Sequence, residues 1–314
     1  MLLYLFVLLV FAGADRPGFR LFSSAVVDAF VANVTSHLSD QTLASIFEVA
    51  FPNALDSTVH FDAESEETFV VTGDIAAQWL RDSTNQVLPY APFLKQDPML
   101  ARMFRGLIKK QTQEVLVDPY ANAFTDKKHD KEHDEDETTR LDPNGTPEEA
   151  KSETVFERKF EVDSLGAFLK LANVYFEETK DVSPFGKDFV KAVRQVLEVL
   201  NMRFSMQHPA EYTFLRKSKN PIDTLVKGIG GEFRGGLGLL GTAFRPSDDS
   251  TILPLNVPVN AFLSVELHKI GELLKRINQA VMAVECVAMG SKIREGILSH
   301  AGKSKKKKIS SKKE

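Results

Sequence analysis

Apolar positions recur at helical spacing along most of the chain. Val26, Ala29, Phe30 and Val34 share one face of Ala25–Leu38, with Ser23 or Ser24 placed to cap its start. Gln41–Ala50 gives a second, shorter helix that Pro52 stops. Met99–Val117 is amphipathic. Leu165, Leu169, Ala172 and Phe176 line up in the next helix, and Phe189, Val193, Val196, Leu197 and Leu200 face inward from Pro184–Phe204. Leu263, Leu267, Ile270, Leu274 and Ile277 follow a 4-3-4-3 spacing in Val259–Ile277, and a final helix covers roughly Asn278–Ser299. Only Ser57–Val71 alternates, weakly, and is expected to be extended. Helices therefore dominate, strand signal is slight, and polar motifs fall between the helices. The pattern predicts an all-α fold of helical hairpins around a site built from loops.

One stretch breaks the apolar pattern. Thr72–Tyr90 holds Trp79, the only tryptophan, followed by Arg81, Asp82 and Ser83. A flat aromatic, a fork of donors and a carboxylate together suit a polyhydroxylated ligand. Two local structures compete. A helix from Asp74 would place Asp74, Gln78, Asp82 and Gln86 in a polar stripe. A helix from Ser83 would use Ser83 and Gln86 as a capping box, leaving Trp79–Asp82 on an exposed turn. The second is preferred.

Composition narrows the class. A chain of 314 residues with 43% apolar content can bury a sizeable core, and a net charge of −4 gives no reason to expect nucleic acid as a partner. Phe (23) far outnumbers Tyr (5), so most aromatics are core filler. Residues 1–14 are apolar, too short to span a bilayer and end in Ala12-Gly13-Ala14, which reads as a signal peptide without a stable membrane anchor. The sequons at Asn33 and Asn144 agree with entry to the secretory pathway or export as a glycoprotein. Cys286 is the sole cysteine, so packing must hold the fold without an internal disulfide. The tract 126–153 is highly charged and is expected to be a disordered acidic insertion; His129 and His133 within it are weighed as metal ligands and set aside for a solvated surface. Seven lysines in 303–314 mark a disordered tail, which places the folded domain at 16–300.

Candidate chemistry gathers in three loop motifs: Trp79-Leu-Arg-Asp-Ser83, Glu157-Arg-Lys-Phe-Glu-Val-Asp-Ser164 and Phe244-Arg-Pro-Ser-Asp-Asp249. No HExxH, CxxC, phosphate loop or GxSxG occurs, and Gly236–Gly241 matches GxGxxG without a strand before it. Carboxylates with arginine clamps fit glycoside hydrolysis, which needs one protonated carboxyl and one carboxylate. Asp163 lies among Phe160, Val162 and Leu165, an environment that raises a carboxyl pKa. The N-cap of the helix that follows is the commoner use of such an Asp, and Asp82, Asp248 and Asp249 carry the same ambiguity.

These motifs, with Asp118-Pro-Tyr-Ala-Asn-Ala-Phe124 and Phe51-Pro-Asn-Ala-Leu-Asp56, make the chain from Arg16 to Ile277 resemble glycoside hydrolase family 125, the metal-independent exo-α-1,6-mannosidases. The resemblance implies an (α/α)6 barrel. It also implies inverting removal of terminal non-reducing α-1,6-linked mannose from an oligosaccharide or N-glycan, without cofactor. It puts Asp163 at the general-acid position. Trp79, Arg81, Asp82 and Ser83 would line the sugar subsite, with Arg245, Ser247 and Asp248 beside it. Phe160 stands where the family usually has Tyr, and Gly166 where it usually has Cys. The pattern fades after about Gly290, before the part of the family that holds the general base. By the same resemblance the barrel is expected to lack its last hairpins and to hydrolyse slowly or not at all. A non-catalytic mannoside-binding protein and an inactive gene-model fragment are the alternatives.

Overall fold

The computed structural model describes residues 16–126, 135–141, 146–149, 152–205 and 212–301. The leader 1–14, Asn144, His129, His133 and the lysine tail lie outside the described residues.

Two short helices begin the chain, α1 (Ala25–His37) and α2 (Gln41–Ala50). Ser24 caps α1, its Oγ accepting from Val27 N at 3.2 Å, and Asp40 caps α2 in the same way. After Pro52 comes one more turn and a half, α3 (Asn53–Ser57), then the hairpin β1 (Val59–Asp62) and β2 (Glu67–Val70), paired antiparallel where extended chain is expected.

The rest of the fold repeats one unit, a buried helix followed by an outer one. The first pair is α4 (Leu80–Val87), continued by a 3-10 turn over Leu88–Phe93, with α5 (Pro98–Val117). The second is α6 (Val162–Thr179) with α7 (Lys187–Met202), and the third is α8 (Val257–Arg276) with α9 (Ala280–Gly296). The inner helices touch in succession, α4 on α6 and α6 on α8, while α5 packs on α7 outside. This inner-and-outer arrangement is the all-α, (α/α)6-barrel type expected. Residues 162–169, at the start of α6, are all buried, as an inner helix with neighbours on every side requires.

Inner helix α4 is polar, and its burial needs an explanation. Gln111 of α5 provides it: Nε2 donates towards Leu80 O, Ser83 Oγ and Thr84 Oγ1 at 2.9–3.1 Å. Thr84 Oγ1 also donates to Ala167 O at 3.3 Å, joining α4 to α6. Polar side chains can line this interface because each finds a partner. Close approach matters as well. A Cβ on Gly106 would lie 2.7 Å from Glu66 O, so glycine is what lets α5 cross β2.

Three points differ from the sequence reading. The helix in the Trp79 stretch begins at Leu80 rather than Ser83. Ser83 is therefore not an N-cap, and its Oγ donates to Trp79 O one turn back, at 2.6 Å. The capping-box pattern was present, but pairing of β3 (Gln78–Trp79) with β4 (Ala123–Phe124) fixes the extended chain up to Trp79 and starts the helix there. Second, the acidic tract contains structure. Strands β5 (Glu137–Leu141) and β6 (Pro147–Glu149) form a sheet with β8 (Thr213–Leu215). Asp136 is buried against Arg216, with contacts of 2.7 and 2.5 Å, so a distant arginine and a distant strand anchor a segment with no apolar anchor of its own. Third, strands are more numerous than expected, though each is short. One more, β7 (Val155–Glu157), pairs with β4.

Candidate active site

The sheet β3-β4-β7 explains why the motifs meet. β3 runs directly into α4, and β7 ends five residues before α6, so the sheet sets the N-termini of two inner helices side by side. The third motif is tied to the same place. Phe244 N donates to Phe160 O at 3.0 Å, and Thr242 Oγ1 accepts from Val162 N, the first amide of α6, at 3.1 Å. Arg81, Asp163 and Asp248, far apart in sequence, thus converge at one end of the inner helices.

Arg81 is the centre. Its Nη1 lies 2.6 Å from Glu161 Oε2 and 3.6 Å from Asp163 Oδ2; its Nη2 lies 3.1 Å from both Asp82 Oδ2 and Asp248 Oδ1. Asp248 reaches it through a left-handed backbone, φ 62°, which Asp tolerates better than most residues. Four carboxylates share one guanidinium, which holds its proton firmly.

Asp163 is not the N-cap of α6. Glu161 occupies that place, and Asp163 sits in the first turn with its side chain 6% exposed. Among the described residues neither of its oxygens has a hydrogen-bond partner, and Arg81 at 3.6 Å is an ion-pair contact too long for a hydrogen bond. Burial pushes its pKa up to about 6, Arg81 opposing and Asp248 reinforcing. Glu161, wholly buried, is pushed up by the same desolvation and by Asp163 and Asp248. The pair therefore keeps a proton towards neutral pH.

Asp163 and Arg81 open onto a cavity of about 280 Å³ whose other walls include Asn85, Lys170, Pro246 and Phe262. The aromatic here is Phe262 of α8. It fits because position 166 is glycine: a Cβ there would lie 2.6 Å from the ring. A larger cavity, about 680 Å³, lies at the opposite ends of α6 and α8, by Phe176, Lys180 and Arg276. Its charges pair at the surface, as Lys269 with Glu177 at 3.0 Å, which is ordinary solvated chemistry.

The expected site residues divide into three groups. Asp163, Arg81, Asp82 and Asp248 come together. Arg245 and Ser247 are neighbours in the same loop but point their polar groups at Asp249, at 2.9 and 2.8 Å, and are exposed. Trp79 and Ser83 are buried away from the cavity walls, Trp79 edge-on to Phe156 at 5.6 Å and Ser83 between α4 and α5. Their burial leaves Trp79 little ring surface for stacking. Glu161 and Phe262 were missed. Glu161 stood inside a quoted motif with nothing local to distinguish it from a cap, and Phe262 falls between the core positions of its helix. Asn33, the described sequon, is exposed on α1.

The chain is similar to known proteins over most of its length. A family model described as metal-independent alpha-mannosidase (GH125) matches residues 40–310. The meiotically up-regulated gene 157 protein of Schizosaccharomyces pombe is 36% identical over 295 residues, covering 90% of this chain and 57% of its own length. A metal-independent alpha mannosidase from Streptococcus pneumoniae, solved as a non-productive complex with alpha-1,6-mannobiose, superposes with a TM-score of 0.81 at 33% identity, covering 91% of this chain and 66% of the other. The chain thus spans less than two thirds of either relative.

Proposed function

Because the chain belongs to the metal-independent alpha-mannosidase family GH125, we propose that its cavity binds the terminal non-reducing mannose of an α-1,6-linked oligosaccharide, with Asp163 as the general acid of an inverting hydrolysis. The observation that carries this is the buried Asp163 carboxyl, its pKa pushed up to about 6, facing a cavity with Arg81. A group that keeps its proton near neutral pH can pass it to the leaving glycosidic oxygen as the bond to the anomeric carbon breaks. Arg81, with Asp82 and Asp248 fixed on it, supplies donors and acceptors for sugar hydroxyls, and Phe262 supplies an apolar face. The α-1,6-mannobiose bound to the Streptococcus pneumoniae relative supports this choice of ligand. The apolar leader and the exposed Asn33 favour a secretory setting for the reaction.

Inversion also needs a base that takes a proton from water on the far side of the sugar. The carboxylates gathered around Asp163, namely Asp82, Glu161 and Asp248, all pair with Arg81. That shared pairing favours a second reading, a chain that holds the mannoside and cleaves it slowly. One experiment separates the two. The purified chain is titrated calorimetrically with α-1,6-mannobiose and then followed by proton NMR for the released sugar. Binding with release of β-mannose, abolished by Asp163→Asn, supports hydrolysis; binding without release supports the second reading. No binding, or release that D163N leaves intact, refutes the assignment of the site.

A further inference from the structure

We propose that Glu161 is a positioning residue: it holds the Arg81 guanidinium on its own carboxylate and so keeps that cation from closing on Asp163. The geometry is asymmetric. Arg81 Nη1 makes a charge-assisted hydrogen bond to Glu161 Oε2 at 2.6 Å, whereas Asp163 Oδ2 is 3.6 Å from the same nitrogen. Ser164 Oγ donates to the same Glu161 oxygen at 3.0 Å, so that oxygen is fixed from two sides. The other guanidinium nitrogen is held by Asp82 and Asp248, both at 3.1 Å. Arg81 hydrogen-bonds Glu161 and Asp248, meets Asp82 as an ion pair, and stands farthest from Asp163, whose two oxygens have no hydrogen-bond partner among the described residues.

A cation bonded to Asp163 would stabilise the ionised carboxylate and strip the acid of its proton at neutral pH. Glu161 prevents this in two ways. Its acceptor is nearer, and its burial beside Asp163 adds repulsion that favours the protonated pair. Among the described residues, the charged groups around Asp163 are Arg81 and Asp82 on α4, Glu161 at the N-cap of α6, and Asp248 from the loop before α8, with Lys170 on a further wall of the cavity. Losing the Glu161 charge leaves Nη1 only a neutral acceptor on that side, and about one ångström of movement makes the charged Asp163 its partner. The functional meaning of that retained proton rests on the acid role proposed above; the positioning does not.

The test therefore uses no sugar. The carboxyl carbons of the chain are labelled with 13C on aspartate and titrated by NMR, the Asp163 signal being assigned by its loss in Asp163→Asn. Glu161→Gln is expected to lower the Asp163 midpoint by about one unit or more, the shift a close cation produces. In an Arg81→Met background the same change is expected to move it by a small fraction of that, because the cation is gone. An unchanged midpoint in E161Q overturns the proposal. An equal shift in both backgrounds overturns it too, since Glu161 would then act by direct charge alone. Should E161Q not fold, Glu161→Asp, which withdraws the carboxylate by one methylene, carries the same test: a lower midpoint supports positioning and an unchanged one refutes it. Failure of mannoside binding would leave this titration untouched.

Discussion

Asp163 and Gly166, three positions apart on α6, set the acidity and the shape of the cavity wall. Because burial raises the folded pKa of Asp163 to about 6, its acid form is populated below that value and lost as pH rises through it. If the chain hydrolyses mannoside, kcat should fall as pH passes about 6, and a pH–rate profile on α-1,6-mannobiose checks it; activity constant from pH 5 to 8 would rule out Asp163 as the acid. Gly166 is a question of space. Restoring a side chain there, as in Gly166→Cys, sets a Cβ 2.6 Å from Phe262 Cε1 and 3.4 Å from Leu263 Cδ2, on a ring that is only half-buried. The ring must move, which strains a packed contact by about 1–3 kcal/mol. Thermal unfolding should show that loss, and calorimetry should show weaker mannoside binding. An unshifted melting curve with unchanged affinity would mean that Phe262 is free to move and does not shape the cavity.

Among elements, the long loop between β8 and α8 has to be held, or Asp248 would not reach Arg81. Asn260, on the first turns of α8, is the clamp. Its Oδ1 accepts from Leu240 N at 2.8 Å and its Nδ2 donates to Leu240 O at 3.0 Å, both groups buried. Asn260→Ala orphans a buried amide and a buried carbonyl and should cost about 2–3 kcal/mol in urea unfolding. The same variant should loosen the loop that carries Asp248, so its mannoside affinity should fall with its stability. Full affinity at reduced stability would show that the loop is positioned instead by the Phe244 amide on Phe160, nearer to Asp248.

At the scale of the whole molecule, stability should decline towards alkaline pH. Glu114 of α5 is entirely buried, receives Gln78 Nε2 at 2.9 Å on both oxygens, and has its pKa pushed up to about 8 by desolvation, against an ordinary 4.5. In that window the folded state binds more protons than the unfolded one, so unfolding free energy falls as pH rises from about 4.5 to about 8. Asp163 and Glu161 add to the same slope, since their folded values are raised as well. Glu114→Gln removes one titrating group, and its denaturation midpoint should depend less on pH than that of the parent chain. Equal slopes would place Glu114 outside the titration.

Helical periodicity alone determined the number and order of the long helices, because each must bury one face, and that face repeats every three to four residues whatever surrounds it. The motifs also showed which residue types carry chemistry, and Asp163, Arg81, Asp82 and Asp248 do meet. Sequence spacing could not decide where the helix near Trp79 begins. Pairing with Ala123 and Phe124, more than 40 positions on, settled that, and sent Trp79 and Ser83 inward. The order within the acidic tract came from Arg216 and β8, still more remote. Glu161 and Phe262 had no local mark at all. A carboxylate becomes a proton-holding partner, and a helix-flank phenylalanine a cavity wall, only when other helices bring a cation or a glycine against it. Local spacing fixes which face a residue takes, and tertiary contact alone fixes what that face meets.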